Sequence, residues 1–167
     1  MSIAVDKTGY LWVGTQDGAA YYDGRKWVTV NLPDRTVSNY VRTMFVASDS
    51  AIWLSPDRGK VHRLKSDHWR SFGVSDGLAG NIVNIIQETK EKTGEIVYWF
   101  GAPQGLSKYS KGKWKTFTTK NSSLVSNNIL DICKTKDGVL WIATDQGVSH
   151  YIDGTLQNFA LPKEFQG

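Results

Sequence analysis

The chain has 167 residues, of which 40% are hydrophobic and 22% are charged, so it can bury the core of one folded domain. Its net charge of +4 comes from scattered lysines and arginines, and no basic stripe for nucleic acid is present. The single Cys133 excludes an intrachain disulfide, and no apolar run approaches the ~20 residues that cross a bilayer. We therefore expect neither nucleic-acid binding nor membrane contact by this chain, and its first residues lack the pattern of a signal peptide.

One segment recurs four times along the chain, each time around a tryptophan. The tryptophans lie at intervals of 41, 46 and 42 residues, at Trp12, Trp53, Trp99 and Trp141. A glycine follows each after six residues, at Gly18, Gly59, Gly105 and Gly147. Ten residues after each tryptophan stand Tyr22, Arg63, Tyr109 and Tyr151. A period in the forties with short strands and turn glycines indicates a tandem repeat.

Each copy reads as four short strands joined by turns. In chain order, the predicted strands are 2–6, 10–14, 19–22 and 26–30, then 41–47, 51–54, 60–64 and 68–72, then 82–87, 96–100, 106–109 and 113–117, then 128–134, 139–143, 148–151 and 155–159. Asp-Gly pairs such as Asp137-Gly138 favour hairpins, and the 46-residue interval comes from a longer first hairpin over 88–95. Four antiparallel strands per ~42 residues predict an all-β chain of β-propeller blades.

We expect one β-propeller domain over 1–167, with four four-stranded antiparallel blades at about 1–31, 40–73, 81–118 and 128–161. Four blades predict half of an eight-bladed ring or a fragment of a larger propeller, although closure as a four-bladed ring is a third arrangement. An open half-ring exposes the apolar flanks of its end blades, which soluble proteins avoid. The expected partner is therefore a second copy in a homodimer, or the remainder of a larger propeller.

The four tryptophans, Trp12, Trp53, Trp99 and Trp141, are predicted to pack between blades, because a large planar side chain on the second strand fills that space. The outer-strand tryptophans, Trp27, Trp69 and Trp114, are predicted to be partly exposed. No nucleophile, phosphate-binding or metal-binding motif is present, and Cys133 has no CxxC partner. Hence we predict no catalytic residue, no metal and no cofactor.

Ligand binding is predicted at the rim that holds the connections between second and third strands, together with the connections between blades. Residues that break the repeat are the better candidates, because specificity must break the symmetry. The candidate ligand-binding residues are Tyr40, Arg42, Asp57, Arg58, Gln104 and Gln146. Amides, an arginine and a tyrosine on one rim suit a hydroxyl-rich or carboxylated ligand.

The repeats resemble those of the two-component regulator propeller family. The first copy carries Asp6, Gly9, Leu11-Trp12-Val13, Gly14-Thr15, Gly18 and Tyr22-Asp23, and the fourth carries Leu140-Trp141-Ile142, Ala143-Thr144, Gly147 and Tyr151. The second copy departs from the pattern, with Ser55-Pro56 for Gly-Thr and Arg63 for Tyr. The resemblance implies a periplasmic or extracellular sensor module of a bacterial regulatory protein, some relatives of which respond to oligosaccharides.

These observations predict a non-catalytic, ligand-binding sensor propeller, with an oligosaccharide or another polar molecule as the ligand. One alternative is a self-assembling scaffold or interaction module without a small-molecule ligand. Another is an enzyme similar to the streptogramin lyases. That alternative requires a histidine and acidic groups on one rim, whereas His62 and His150 fall two copies apart.

Overall fold

The computed structural model describes residues 2–33 and 39–159. They form four four-stranded antiparallel sheets, each with its strands in chain order. Blade 1 contains β1 (Ser2–Val5), β2 (Leu11–Thr15), β3 (Gly18–Tyr22) and β4 (Trp27–Val30), and blade 2 contains β5 (Val41–Val46), β6 (Ile52–Pro56), β7 (Val61–Lys65) and β8 (His68–Phe72). Blade 3 contains β9 (Ile85–Lys90), β10 (Ile96–Ala102), β11 (Gly105–Ser110) and β12 (Lys113–Phe117), and blade 4 contains β13 (Ile129–Lys134), β14 (Leu140–Thr144), β15 (Gly147–Ile152) and β16 (Thr155–Phe159). The predicted all-β propeller architecture is confirmed.

Helical structure in the described ranges is limited to a 3₁₀ turn at Val74–Asp76, between blades 2 and 3. None of the described residues belongs to a helix long and apolar enough to span a membrane.

The core consists of three layers between successive blades. Along the second strand of each blade, alternate side chains point to opposite faces of the sheet. Trp53 and Trp99 therefore face the next blade, whereas Leu54 and Phe100 face the preceding one, and all four are fully buried. This is why these second strands are apolar without alternation.

Two second-strand glycines allow neighbouring blades to approach closely. A Cβ atom at Gly14 would lie 2.7 Å from Cγ1 of Val41, and one at Gly101 would lie 2.6 Å from Cγ2 of Ile129. Val41 and Ile129 begin the first strands of the following blades and are fully buried. Any larger residue at Gly14 or Gly101 would push the blades apart.

A chain of hydrogen bonds joins the first hairpins of all four blades. Lys7 of blade 1 donates to the carbonyl of Ser48 in blade 2. The Ser48 amide donates to Oε2 of Glu88 in blade 3 over 2.8 Å. Lys134 of blade 4 donates to the Glu88 carbonyl over 2.9 Å. These bonds fix the blades relative to one another at the rim opposite the connections between second and third strands.

Two strand predictions were wrong in register. The first strand of blade 3 was predicted at 82–87, but β9 spans Ile85–Lys90 and its turn is confined to Glu91–Glu95. The four additional residues lengthen both strands instead of forming a loop, since Lys90 pairs with Ile96 and Thr89 with Val97. Polar side chains at a solvent-exposed rim do not prevent strand pairing.

Fixed spacing also misaligned blade 2. The connection between β6 and β7 is one residue longer than its counterparts, so Leu64, and not Arg63, is equivalent to Tyr22, Tyr109 and Tyr151. Arg63 pairs with Trp53, as Tyr21 pairs with Trp12 and His150 with Trp141. His62 and His150 each follow their tryptophan by nine residues, which predicts equivalent positions, yet they face opposite sides of their blades.

The outward flanks of blades 1 and 4 are apolar and partly exposed. Ile3 is 71% exposed, whereas its counterparts Met44, Ile86 and Ile132 are 9%, 3% and 3% exposed. At the other flank, Trp141 is only half-buried beside Phe159, which is 42% exposed. Trp141 thus lies on an open face and not between two described blades, unlike Trp12, Trp53 and Trp99.

Candidate functional site

Three of the predicted ligand-binding residues lie together at one rim. Asp57 and Arg58 begin the connection between β6 and β7, and the Asp57 amide donates to the Tyr40 carbonyl over 2.8 Å. The Oδ1 atom of Asp57 is buried and has no hydrogen-bond partner among the described residues. Arg42 lies on β5 at a bulge between Val41 and Thr43, and its side chain is exposed.

Arg58 lines a cleft of about 450 Å³ between the β6–β7 connection of blade 2 and the segment that leads into blade 3. Lys60, Val74 and Asn81 line the same cleft, and the Asn81 carbonyl accepts the Gly59 amide at 3.0 Å. Arg58 and Lys60 are both exposed, and neither forms an ion pair with a described residue. The cleft therefore presents two exposed cations that are unpaired within the described part of the chain.

Gln104 and Gln146 do not line this cleft. The Gln104 side chain lies over Gly80, so close that a Cβ there would meet Oε1 at 1.9 Å. Gln146 is exposed in the β14–β15 turn, where its amide donates to Oγ1 of Thr144 over 3.2 Å. The predicted set thus divides into a group around Arg58 and two separate glutamines.

Sequence reasoning placed Asn81 on the same rim as Arg58 but missed Lys60 as a member of the Arg58 cleft. Fixed spacing assigned Lys60 to a strand, although β7 begins at Val61. The β6–β7 connection has one residue more than its counterparts, and this difference could have revealed Lys60. The additional residue leaves this second cation, two positions after Arg58, outside the paired strands.

At the opposite rim, one repeat position sets the chemistry around each inter-blade tryptophan. This position holds Tyr21, Arg63, Lys108 and His150 in blades 1 to 4. Tyr21 contacts the Trp12 ring with 5.0 Å between centroids. The Arg63 guanidinium lies 5.7 Å from the Trp53 centroid, and Lys108 Nζ lies 5.4 Å from that of Trp99. Cations thus cover two of these rings by cation–π contact.

Carboxylates hold these cations in place. Arg63 and Lys65 both bridge to Asp49. Burial by itself would raise the pKa of Asp49, but hydrogen bonds from Lys65 and the Ala51 amide, with the Arg63 charge, lower this pKa below its ordinary value. Burial raises the pKa of Tyr98 further above its ordinary value, and the nearby Asp49 and Glu88 charges act in the same direction.

A cleft of about 600 Å³ lies between blades 3 and 4 at this rim, where the extended β9–β10 hairpin forms one wall. Lys108 Nζ donates to Glu91 over 2.8 Å and to the Tyr151 hydroxyl over 3.0 Å. Burial opposes charge on Lys108, yet the hydrogen bonds with Glu91 and Tyr151 raise its pKa above the ordinary value. Lys108 thus has partners on both blades, Glu91 on blade 3 and Tyr151 on blade 4, and links the two blades.

A second cleft, of about 630 Å³, lies between blades 1 and 2. Blade 1 contributes an aromatic wall in which Trp12 contacts Tyr21, and Tyr21 stacks on Tyr10 at 5.4 Å and 4°. Blade 2 contributes Ile52, Leu64 and Trp69. Turn residues that line its margin are Thr8, Ser50, Ser66 and Asp67.

The histidines lie on separate surfaces. His62 is buried, with its Nδ1 2.9 Å from Oγ of Ser71, whereas His68 Nδ1 lies 2.6 Å from the Ser66 carbonyl oxygen in an exposed turn. His150 packs beside Trp141 on the open flank of blade 4. Within residues 2–33 and 39–159, no group of three or more His, Cys, Asp or Glu side chains is placed to hold a metal ion.

Residues 123–146 match the family model described as two component regulator propeller. The match covers β13, β14 and the turn that ends at Gln146, and thus contains Leu140-Trp141-Ile142 and Ala143-Thr144 of the predicted motif, while Gly147 and Tyr151 follow it. Blade 4 therefore matches the two-component regulator propeller repeat, and the resemblance inferred from the repeats is confirmed. No curated protein matches the chain.

Among solved structures, similar folds include two extracellular domains assigned to hybrid two-component systems of B. thetaiotaomicron. BT3049 has a TM-score of 0.77 and 19% identity, and the match covers 96% of this chain and 24% of that one. BT4673 has a TM-score of 0.68 and 21% identity, covering 96% and 21%. A streptogramin B lyase has a TM-score of 0.69 and 14% identity, covering 97% and 54%. The chain thus spans about a quarter of the sensor domains, and these likenesses show the fold alone.

Proposed function

We propose that this chain is a non-catalytic, ligand-binding part of an extracellular or periplasmic bacterial sensor. The repeat family and the fold of the two-component system domains support this role. The observation that carries it is the cleft at Arg58, where two exposed cations face the same space and form no ion pair with a described residue. Arg63 and Lys108, which contact tryptophans between blades, are by contrast paired with carboxylates.

The ligand that suits this cleft is hydroxyl-rich and carries a carboxylate, such as an oligosaccharide with an acidic sugar. Arg58 offers a planar fork of donors that matches a carboxylate, and Lys60 adds a second positive charge. The Asn81 side chain and nearby backbone groups supply donors and acceptors for hydroxyl groups. Tyr40 and Asp57 shape the connection that holds Arg58, and Arg42 lies on the neighbouring inner strand.

Calorimetric titration with matched neutral and acidic oligosaccharides tests the proposal. We expect saturable binding of an acidic oligosaccharide, weaker at higher salt because exposed charges are screened. Arg58→Gln should reduce affinity about tenfold, the loss expected for one charge-assisted hydrogen bond.

Arg70→Gln is the matched control, because it removes the same charge from an exposed position on β8, away from the cleft. Its affinity should equal that of the wild type. The proposal fails if no acidic oligosaccharide binds, or if both variants weaken binding equally.

The exposed flanks favour a second candidate function, assembly with a further set of blades. Ile3, Val5 and Trp27 are 71%, 61% and 55% exposed on blade 1, on the face that blades 2 and 3 use to accept a preceding blade. Blade 4 offers Trp141 and Phe159, the side chains that such a face accepts at the internal interfaces. A second copy would join these faces about a two-fold axis, and further blades of the same repeat would do so within a larger propeller.

Light scattering distinguishes these arrangements. A homodimer has twice the monomer mass of 18.7 kDa, and Ile3→Glu should convert it to monomers. Val74→Glu is the control, because Val74 is 52% exposed but lies in the turn between blades 2 and 3. A wild-type mass of 18.7 kDa at every concentration would rule out the homodimer and leave additional blades as the partner.

The lyase alternative has less support. It requires a histidine and acidic groups on one rim, whereas His62 is buried between blades, His68 is exposed at the start of β8 and His150 lies on the open flank. The likeness to the streptogramin B lyase shows the fold alone.

A further inference from the structure

The cleft between blades 1 and 2 exists because blade 2 lacks two aromatic side chains that blade 3 has. Ile52 and Leu64 of blade 2 are equivalent by strand pairing to Tyr98 and Tyr109 of blade 3. Both tyrosines pack against the tryptophan of the preceding blade, with centroids 5.1 and 5.8 Å from that of Trp53. Ile52 and Leu64 offer no ring to Trp12, and the space beside Trp12 forms the 630 Å³ cleft.

The walls of this cleft are suited to an aromatic ring. Tyr21 stands where blade 2 has Arg63, so the Trp12 ring is flanked by a second ring instead of a cation. Tyr10 extends this wall by stacking on Tyr21, and its side chain is 36% exposed. Trp69 faces them from blade 2. Aromatic rings gain free energy from offset or edge contacts with such surfaces beyond the area they bury.

The margin of the cleft is polar at the turns that correspond to those near the tyrosine hydroxyl of blade 3. At the interface between blades 2 and 3, burial is the main cause that raises the pKa of Tyr98, and the nearby Asp49 carboxylate acts in the same direction. The turn position of Asp49 corresponds to Thr8 in blade 1, since the turns close through Asp6–Tyr10 and Ala47–Ala51. Thr8 lines the cleft, as does Asp67, which forms no ion pair with a described residue. A ring seated beside Trp12 would thus place a polar substituent against an acceptor.

We propose that this cleft binds a small molecule or side chain with a hydroxyphenyl ring. The ring takes the place that Tyr98 and Tyr109 occupy in the next interface, and its hydroxyl group points to the turns at Thr8 and Asp67. This site is separate from the Arg58 cleft, because Thr8 and Asp67 lie in turns at the rim opposite the β6–β7 connection. A cleft of this volume is within the range of small-molecule sites.

The test measures the binding of two probes, p-cresol and N-acetyltyrosinamide, by chemical-shift titration of the protein. We expect saturable binding of at least one of them, while cyclohexanol, which has a hydroxyl group but no aromatic ring, binds at least about tenfold more weakly. Binding of p-cresol alone would identify a free phenol as the ligand type. Binding of N-acetyltyrosinamide would indicate a tyrosine side chain of a peptide.

Ile52→Tyr combined with Leu64→Tyr fills the cleft with the side chains of the next interface, and should weaken binding about tenfold or more. If this variant does not fold, Tyr10→Ala should still weaken binding, whereas Tyr22→Ala, on the other face of blade 1, should not. Unchanged binding in the filled variant, unchanged binding in Tyr10→Ala, or equal binding of cyclohexanol would overturn the proposal. Arg58→Gln should leave phenol binding intact, so failure at one cleft is distinguishable from failure at the other.

Discussion

The interface between blades 2 and 3 and the interface between blades 1 and 2 use the same repeat positions with different side chains. Between blades 2 and 3, Trp53 contacts Phe72, Tyr98, Phe100 and Tyr109, and it is fully buried. Between blades 1 and 2, Trp12 makes its ring contact with Tyr21 of its own blade and borders a cleft. Propeller geometry therefore leaves the choice between a filled and an open interface to a few side chains.

The hydrogen bonds of the two tryptophans differ in the opposite sense to their aromatic packing. Trp12 Nε1 donates to Oδ2 of Asp6 over 2.8 Å, but Trp53 Nε1 is buried without an acceptor among the described residues. Strand pairing places Ala47 of blade 2 at the position of Asp6, so no side-chain acceptor is available there. The filled interface, between blades 2 and 3, has more aromatic packing and lacks the tryptophan hydrogen bond. The open interface, between blades 1 and 2, has the hydrogen bond and less aromatic packing.

The largest expected effect separates the two tryptophans. Trp53→Ala should lower the free energy of unfolding by about 4 kcal/mol, because it leaves a cavity among closely packed rings. Trp12→Ala should cost less, about 3 kcal/mol, since Trp12 is only 5% exposed but has one ring neighbour where Trp53 has four. Urea denaturation of both variants measures the difference. Equal losses would show that the two interfaces are equally packed.

Tyr98→Ile transfers the residue of the open interface into the filled one. We expect a loss of about 2 kcal/mol, from the cavity that the smaller side chain leaves beside Trp53. A new cleft beside Trp53 should also shift its fluorescence to longer wavelength. Tyr98→Phe is the control, because it keeps the ring and removes only the hydroxyl group, and its emission should stay unchanged. A red shift in both variants would argue against the cavity as its cause.

Much of this fold was predictable from the sequence because the repeat places a tryptophan and a turn glycine at nearly constant spacing. Spacing failed where a residue is inserted between paired strands. The longer β6–β7 connection moved Arg63 out of alignment with the tyrosines. In the longer first hairpin predicted over 88–95, the additional residues extend the two strands, so β9 ends at Lys90 and not at 87. Register is decided by pairing across the sheet, which distances along one chain do not reveal.

The candidate sites were less predictable for a related reason. Arg58 was found because it breaks the repeat, but its neighbour Lys60 was hidden by the misaligned register. The cleft between blades 1 and 2 depends on Ile52 and Leu64 facing Trp12 of another blade. In the sequence, this cleft is indicated only by the absence of aromatic residues at the two positions where blade 3 has tyrosines. These positions can be matched between blades only when the strand register is known.

Asp6 should make the open interface sensitive to pH. Burial alone would raise its pKa, but hydrogen bonds from Thr8, Trp12 and Tyr10 lower this pKa below its ordinary value of 3.8. Because the pKa is lower in the folded state, the Asp6 carboxylate stabilises the fold at pH values above its ordinary pKa. This stabilisation is lost as the pH falls through the folded-state pKa.

Asp6→Asn should therefore cost about 1 kcal/mol at pH 7, because the asparagine amide cannot accept from both Trp12 and the turn amides. Below about pH 4 the difference from wild type should shrink. Denaturation midpoints at pH 7 and pH 3 measure it. A constant difference over this range would mean that the carboxylate charge does not contribute. Asp17→Asn in the exposed β2–β3 turn controls for general loss of an aspartate, because the Asp17 carboxylate accepts no hydrogen bond from a described residue.

The smallest expected effect is a gain at the filled interface. Ala47 corresponds to Thr89 of blade 3, whose Oγ1 accepts Trp99 Nε1 over 2.8 Å, so a hydroxyl group at this position reaches the indole. Ala47→Ser should give Trp53 Nε1 the acceptor it lacks and raise stability by about 0.5 kcal/mol, after the cost of burying the hydroxyl group. Ala51→Ser makes the same change at a fully buried position across the turn and should lower stability, because its hydroxyl group gains no indole partner. If Ala47→Ser is as destabilising as Ala51→Ser, the missing hydrogen bond of the Trp53 indole does not lower the stability of this interface. The packing around Trp53 alone then accounts for its difference from Trp12.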